Sequence, residues 1–358
     1  MTKRRSAITA VLASAAIALT GFATTSASAA SAGFVGVILP DAASSPRWET
    51  ADRPFLKAAF KAAGVKADIQ NANGDKAKFA TIADQMLTKG AKVLILVNLD
   101  SPTSVAVQAK AKKMGVPTID YDRLTLKGSE SYYVSFDNVA VGRLQGQGIV
   151  SCLKAKGVAK PRIVYLNGAP TDNNATLFKQ GYDSVLRPLI TAGTYTLVDD
   201  KSVPNWDNAQ GGVIFEQQLT KAGLKLDAVV SANEGLGLAA VAILKKNKLN
   251  GKVCVSGQDA SAAGLAGILT GDLSNTVYKA VKQEANGAAA LAVALLKGMK
   301  ATTATGKTNN GMVDVPSVLL VPVGITKANV GVVIKDGFAK RADICAIATE
   351  KVCKANGI

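Results

Sequence analysis

The side chains able to do chemistry in this 358-residue chain lie in short polar clusters, each just after a run rich in Val, Ile or Leu. Pro46-Arg47-Trp48 follows GFVGVIL, Tyr121-Asp122-Arg123 follows VPTID, and Phe136-Asp137-Asn138 follows YYVS. Pro170 to Asn174 (PTDNN) follows IVYLNG, Asn205-Trp206 follows DDKSVP, Asn233-Glu234 follows AVVSA, and Gln258-Asp259 follows VCVSG. Any one of these has an ordinary explanation, because Asn and Asp favour turns and helix N-caps. Turn chemistry alone does not require the same polar clustering after one run after another. Carboxylates and amides bind hydroxyl groups, Arg presents a fixed fork of donors, and an indole face covers the C–H face of a pyranose ring. Together these residue types describe a monosaccharide site. Trp48 and Trp206 are the only tryptophans, and aromatic residues make up just 5% of the chain. Both sit in polar segments, SSPRWETADR and SVPNWDNAQ, so a ligand-facing position is expected for them rather than core packing.

Other chemistries are excluded or weakened. The chain has no histidine, which removes Ser-His-Asp and Cys-His catalysis and His-containing zinc motifs together. No metal-ligand spacing is present, and no metal or cofactor is expected. ATTATGKT, Ala301 to Thr308, loosely matches a P-loop, but a helix-like stretch precedes it and irregular chain follows, the reverse of the required strand-loop-helix order. The loop after the first strand, PDAASSPRW, lacks the glycines of a dinucleotide fingerprint. Asp122, Asp172 and Asp259 offer carboxyl pairs of the kind glycoside hydrolysis needs. The Arg residues among the clusters point instead to ionised carboxylates that bind hydroxyls, so no catalytic residue is expected.

The elements that must position these clusters follow from periodicity. Short apolar runs alternate with helix-period stretches such as RPFLKAAFKAAG and KFATIADQMLTKG, several ending in Gly. Strict alternation implies parallel sheets covered on both faces, and more than ten candidate strands imply two lobes. In such sheets the ligand crevice lies beyond the carboxyl ends of the strands, where the polar clusters fall. Ahead of the first strand, Lys3, Arg4 and Arg5 precede ITAVLASAAIAL and then SASAA, the layout of a secretory signal peptide over residues 1–30, cleaved near Ala29 or Ala30. An extracytoplasmic location is therefore expected. The formal charge is +16, of which those three residues supply three, leaving +13. The lysines are scattered along helix-like stretches with no arginine-rich run, so a solvated basic surface is expected and no nucleic-acid partner. Cys152, Cys254, Cys345 and Cys353 can form disulfides in an exported protein, the close pair near the C-terminus stapling the tail, but the sequence leaves their state open.

Taken in order, RW, IQNANGD, YDR, SFDN, PTDNNA, the Trp206 loop, SAN, SGQDA, TVYK, NNG..DVPS and VIKDGF resemble the type I periplasmic sugar-binding proteins of ABC transporters, in particular their D-xylose-binding branch. The resemblance spans about residues 34 to 340. It implies an α/β fold of two Rossmann-like, doubly wound lobes joined by three crossover segments, near Asn138, Tyr278 and Val315. The first lobe would comprise 33–139 plus 279–315, the second 140–278 plus 316–340, and 341–358 would be a tail with no recognised counterpart. It also implies that Arg47, Asp122, Arg123, Asp172, Asn174, Asn233, Asp259 and Lys279 meet sugar hydroxyls. Trp48 and Trp206 would then supply apolar walls, with Asn173 in support. The partners implied are a monosaccharide, D-xylose first, and a membrane permease, the protein itself acting as a monomer. Rivals are a receptor of the same fold for glucose, ribose or an autoinducer, a secreted glycosidase, and a lac-repressor-type regulator, which would need a helix-turn-helix at the N-terminus. One departure stands out: Asn233-Glu234 replaces the usual Asn-Asp pair, which bears on a helix start or on the fit of one hydroxyl.

Overall fold

The computed structural model describes residues 33–358; the signal-peptide segment lies outside the described residues. Thirteen strands form: β1 Phe34–Leu39, β2 Ala67–Asn71, β3 Ala91–Leu96, β4 Thr118–Tyr121, β5 Tyr132–Phe136, β6 Arg162–Asn167, β7 Thr196–Ser202, β8 Ala228–Ser231, β9 Cys254–Val255, β10 Thr276–Tyr278, β11 Gly306–Asn309, β12 Asp314–Leu320 and β13 Val323–Ile325. The first sheet runs β11-β12-β5-β4-β3-β1-β2, parallel except for the β11-β12 edge. The second runs β7-β6-β8-β9 and is wholly parallel. β10 and β13 form an antiparallel ribbon, and a Ser256–Asn275 bridge ties this ribbon to the second lobe. Two Rossmann-like lobes result.

The interior strands are buried on both faces, which is why β1, β3 and β6 read as nearly continuous apolar runs rather than alternating ones. The second lobe has one large apolar core, and the first has a core on each face of its sheet. Helices between strands stop where the sequence indicates. Gly90 and Gly115, at φ 89° and 70°, take the left-handed turn that releases the chain into β3 and toward β4. Lysines crowd the last turn of the helix Ser101–Lys113, where the helix dipole favours positive charge.

The chain leaves the first sheet after β5 and enters the helix Asn138–Ala155, whose closest helical neighbour is Asn173–Thr191 in the second lobe. It returns after β10 into the helix Val281–Leu296, which packs in the first lobe. The third crossing corrects the sequence expectation. β12 stays paired with β5 through Leu320↔Phe136, so residues 316–320 belong to the first sheet and the crossing falls at Val321-Pro322, not near Val315. A boundary inside a continuous strand leaves no trace in composition.

Cys152 is bonded to Cys254, joining the helix Asn138–Ala155 to β9, and Cys345 to Cys353 within the tail. That tail is not an appendage: Ile344, Cys345, Ala348 and Cys353 lie in the second-lobe core. In ATTATGKT, Gly306 begins the edge strand β11, and no helix follows to cradle a phosphate.

Candidate functional site

The ten residues expected from the sequence converge. Arg47, Trp48, Asp122, Arg123, Asp172, Asn174, Trp206, Asn233, Asp259 and Lys279 all line one cavity between the lobes, about 330 Å3 including its mouth. They arrive on the loops after β1, β4, β6, β7, β8, β9 and β10, all at carboxyl ends of strands. Ser44, Ser45, Phe178 and Gln258 complete the wall. Sequence reasoning missed these four as site residues, although Ser44, Ser45 and Gln258 stood inside the segments it singled out. Asn173 is half-buried and does not line the cavity.

Capping and site roles prove compatible. Asp172 Oδ1 accepts from the Asn174 backbone N–H at 2.9 Å, starting the helix Asn173–Thr191, while Asp172 Oδ2 faces Arg123 Nε at 3.0 Å. Asn233 caps the helix Glu234–Lys246 through Leu236 N–H at 2.9 Å and donates across the cleft to the Ser44 carbonyl at 3.3 Å.

Arg47 is a hub rather than a free fork. Its Nε and Nη2 pair with Asp52 at 2.9 and 2.7 Å, Nη2 also reaches Glu284 at 3.1 Å, and Nη1 meets Asp122 at 2.9 Å. Four of its five N–H groups are thereby engaged, leaving one on Nη1 for a ligand. Behind it, Tyr121 donates its hydroxyl to Asp52 at 2.7 Å. Burial disfavours the Arg47 charge, but Asp52, Asp122 and Glu284 reverse that and hold its pKa well above the ordinary value.

Asp122 is the opposite hub. It accepts from Arg47, from Lys279 Nζ at 3.1 Å and from Asn174 Nδ2 at 3.0 Å. Burial raises its carboxyl, yet Lys279, Arg47 and Arg123 outweigh burial and hold it well below the carboxylate range. Asp172 and Asp259 shift the other way: burial raises both, against Arg123 for the first and against Lys279 and Arg47 for the second. Glu284 is pushed up by burial and by Asp122, against Arg47.

Three site residues hold left-handed backbones, Asp122 at φ 61°, Trp206 at 57° and Asp259 at 121°. For non-glycine residues this is uncommon and costs stability, which the surrounding contacts must offset.

The tryptophans correct an expectation. Both line the cavity, but both are also core residues: Trp48 is 3% exposed and packs in the first-lobe core, Trp206 is 5% exposed and packs in the second. Trp48 opens a π-helical turn, Trp48–Asp52, with Arg47 and Arg123 over its ring at 4.4 and 5.4 Å. Trp206 stands edge-on to Phe178 and donates Nε1–H to Asp172 at 3.1 Å. Gly168 makes room for its ring, since a Cβ there would lie 2.0 Å from Trp206. Polar flanking residues concealed this burial because a loop folded over a cleft buries its one large side chain while its neighbours face water.

Glu234 does not line the cavity. Its carboxylate accepts from Ser261 N–H and Oγ at 2.9 and 2.5 Å and from Thr276 Oγ1 at 2.5 Å, clamping the segment after Asp259 to β10. The departure at this position thus acts behind the site. Burial, with Asp259 adding to it, raises the Glu234 carboxyl to about 7.

Polar contacts bridge the lobes directly: Ser45 Oγ to Asp259 at 3.0 Å, Asn208 Nδ2 to the Ala43 carbonyl at 3.1 Å, and the Arg123–Asp172 and Asn174–Asp122 pairs. Among the described residues no cluster of three or more Cys, Asp or Glu is arranged to hold a metal ion.

The pattern described as the periplasmic binding protein domain matches residues 35–300. The chain belongs to this family. It is 36% identical over 299 residues to the D-xylose-binding periplasmic protein of Escherichia coli, covering 83% of this chain and 88% of that one. It is 33% identical over 333 residues to a multiple sugar-binding periplasmic receptor of Rhizobium radiobacter, covering 88% and 93%. A carbohydrate transporter solute-binding protein from Chloroflexus aurantiacus, solved in complex with D-glucose, superposes with a TM-score of 0.78 at 31% identity, covering 86% of this chain and 97% of that one. This periplasmic binding protein is accordingly a binding protein and not an enzyme, and the glycosidase alternative falls away.

Proposed function

We propose that the protein is the extracytoplasmic solute-binding component of an ABC sugar importer, capturing one monosaccharide, D-xylose first, between its lobes. The observation that carries this reading is the convergence of charged, amide and indole side chains from seven post-strand loops of both lobes on one small cavity. Arg47, Arg123 and Lys279 donate to ring hydroxyls, Asp122, Asp172 and Asp259 accept from them, Asn174 and Asn233 do either, and Trp48 and Trp206 meet the C–H faces. Ligand shifts the lobes toward closure only through contacts made better in the closed state, which requires both lobes to touch the same sugar. The closed form is then presented, as a monomer, to a membrane permease.

D-xylose leads because the relatives named for it share about a third of their residues with this chain, while a relative named for multiple sugars and a neighbour holding D-glucose mark the alternatives. Isothermal titration with a panel of pentoses and hexoses tests the reading. A single sugar, D-xylose, should bind well ahead of its epimers; a preference for glucose or ribose would move the assignment, and no heat with any sugar would refute it.

A further inference from the structure

We infer that Gln258 is a specificity-determining residue of this site, its side-chain amide reading one hydroxyl of the bound sugar; the inference rests on the sugar-binding reading above. Gln258 is 5% exposed and lines the cavity, yet its Oε1 has no hydrogen-bond partner. A buried amide oxygen left unpaired costs stability and calls for an explanation.

The other side-chain amides of the wall differ. Asn174 gives both its amide hydrogens to Asp122 and accepts from Asn138 Nδ2 at 2.9 Å. Asn233 accepts from Leu236 N–H and donates to the Ser44 carbonyl. Both are fastened by the protein, whereas the oxygen of Gln258 is free to accept.

The backbone around Gln258 is held in place. Its carbonyl accepts Glu234 N–H at 3.0 Å, Gln145 Nε2 reaches the preceding Gly257 carbonyl at 3.3 Å, and the Glu234 carboxylate secures Ser261 three residues on. The strained φ values of Asp259 and Ala260, 121° and 55°, are fixed by the same clamp. A rigid backbone bearing an uncommitted amide is what geometric discrimination needs, because the amide cannot follow a hydroxyl that points elsewhere. Its chemistry complements that of its neighbours. Arg, Lys and Asp only donate or only accept, and they tolerate a hydroxyl over a range of positions, whereas a neutral amide donates and accepts in fixed directions. A site built to bond a hydroxyl rejects the analogue lacking it, since the buried polar group is then left unpaired.

The test is titration of the unaltered protein, Gln258→Leu and Gln258→Glu with the sugar it binds best and with that sugar's monodeoxy derivatives. Q258L is expected to weaken binding of the parent sugar by about tenfold to about a hundredfold, with a thermal midpoint like that of the unaltered protein. For one deoxy derivative, the one lacking the hydroxyl that Gln258 reads, unaltered protein and Q258L should bind alike. Equal affinity for the parent sugar, or a loss of the same size for every deoxy derivative, overturns the inference and makes Gln258 structural. Should Q258L misfold, the less disruptive Q258E carries the same comparison. An unaltered protein that binds no sugar refutes the functional reading and this inference with it.

Discussion

Asp122→Asn isolates the charge at the centre of the site. Asn fits the left-handed backbone at φ 61° as readily as Asp does, so the change adds no backbone strain. What it removes is the only ion-pair partner of Lys279, which is 2% exposed, and one of three carboxylates on Arg47. Breaking a buried pair from one side costs about 3–5 kcal/mol, because a charge is left buried without compensation. Unfolding entropy of about 2.1 cal/mol/K per residue gives about 0.7 kcal/mol/K for a chain of this size, so the melting midpoint should fall by about 4–7 °C at pH 7. The pH dependence follows from sign. Asp122 has a depressed pKa in the folded state, so its contribution is present above the ordinary carboxylate range and is lost as pH falls through the folded value. The deficit of the variant should therefore be full at neutral pH and shrink in strong acid. Calorimetry of parent and variant across pH measures both effects. A midpoint within about 1 °C of the parent at pH 7 would refute the argument that Asp122 holds the buried cations in place.

Two further outcomes follow from the same geometry. Trp206→Ala should cost stability as well as sugar affinity, by about 3–5 kcal/mol in unfolding free energy, because the indole fills the space beside Phe178 and Gly168 and bonds Asp172; a melting curve unchanged by the substitution would show that the ring is not a core element. Glu234 has a folded pKa of about 7 against an ordinary 4.5, so the stability it confers is full below about 4.5 and is lost as pH rises through 7, by about 3 kcal/mol in all. Glu234→Gln should flatten the midpoint-versus-pH curve over that window, and parallel curves for parent and variant would exclude Glu234 as the source.

Much of this protein is legible in its sequence because the relevant signals are local. Continuous apolar strands such as GFVGVIL, helices ending in Gly, and Asp or Asn at helix starts are each set by short-range backbone preference and by the need to bury both faces of a parallel sheet. The site residues were legible for a related reason: in this architecture the carboxyl end of every strand faces the crevice, so position after a strand translates into position in the cleft.

What tertiary structure alone decided is pairing and direction. Sequence placed Arg47 and Asp122 in the site but not their engagement of one another, nor Asp52 and Glu284 behind Arg47, since these partners lie 5 and 237 residues away along the chain. It placed Trp48 and Trp206 in polar loops but could not reveal that both rings are buried, because burial depends on which surfaces the other lobe and the helices cover. It left the Asn233-Glu234 departure ambiguous, whereas the fold turns Glu234 away from the cavity and onto Ser261 and Thr276. Backbone preference acts over a few residues; charge compensation, cavity lining and the join of the two lobes depend on distances in space that only the packed chain establishes.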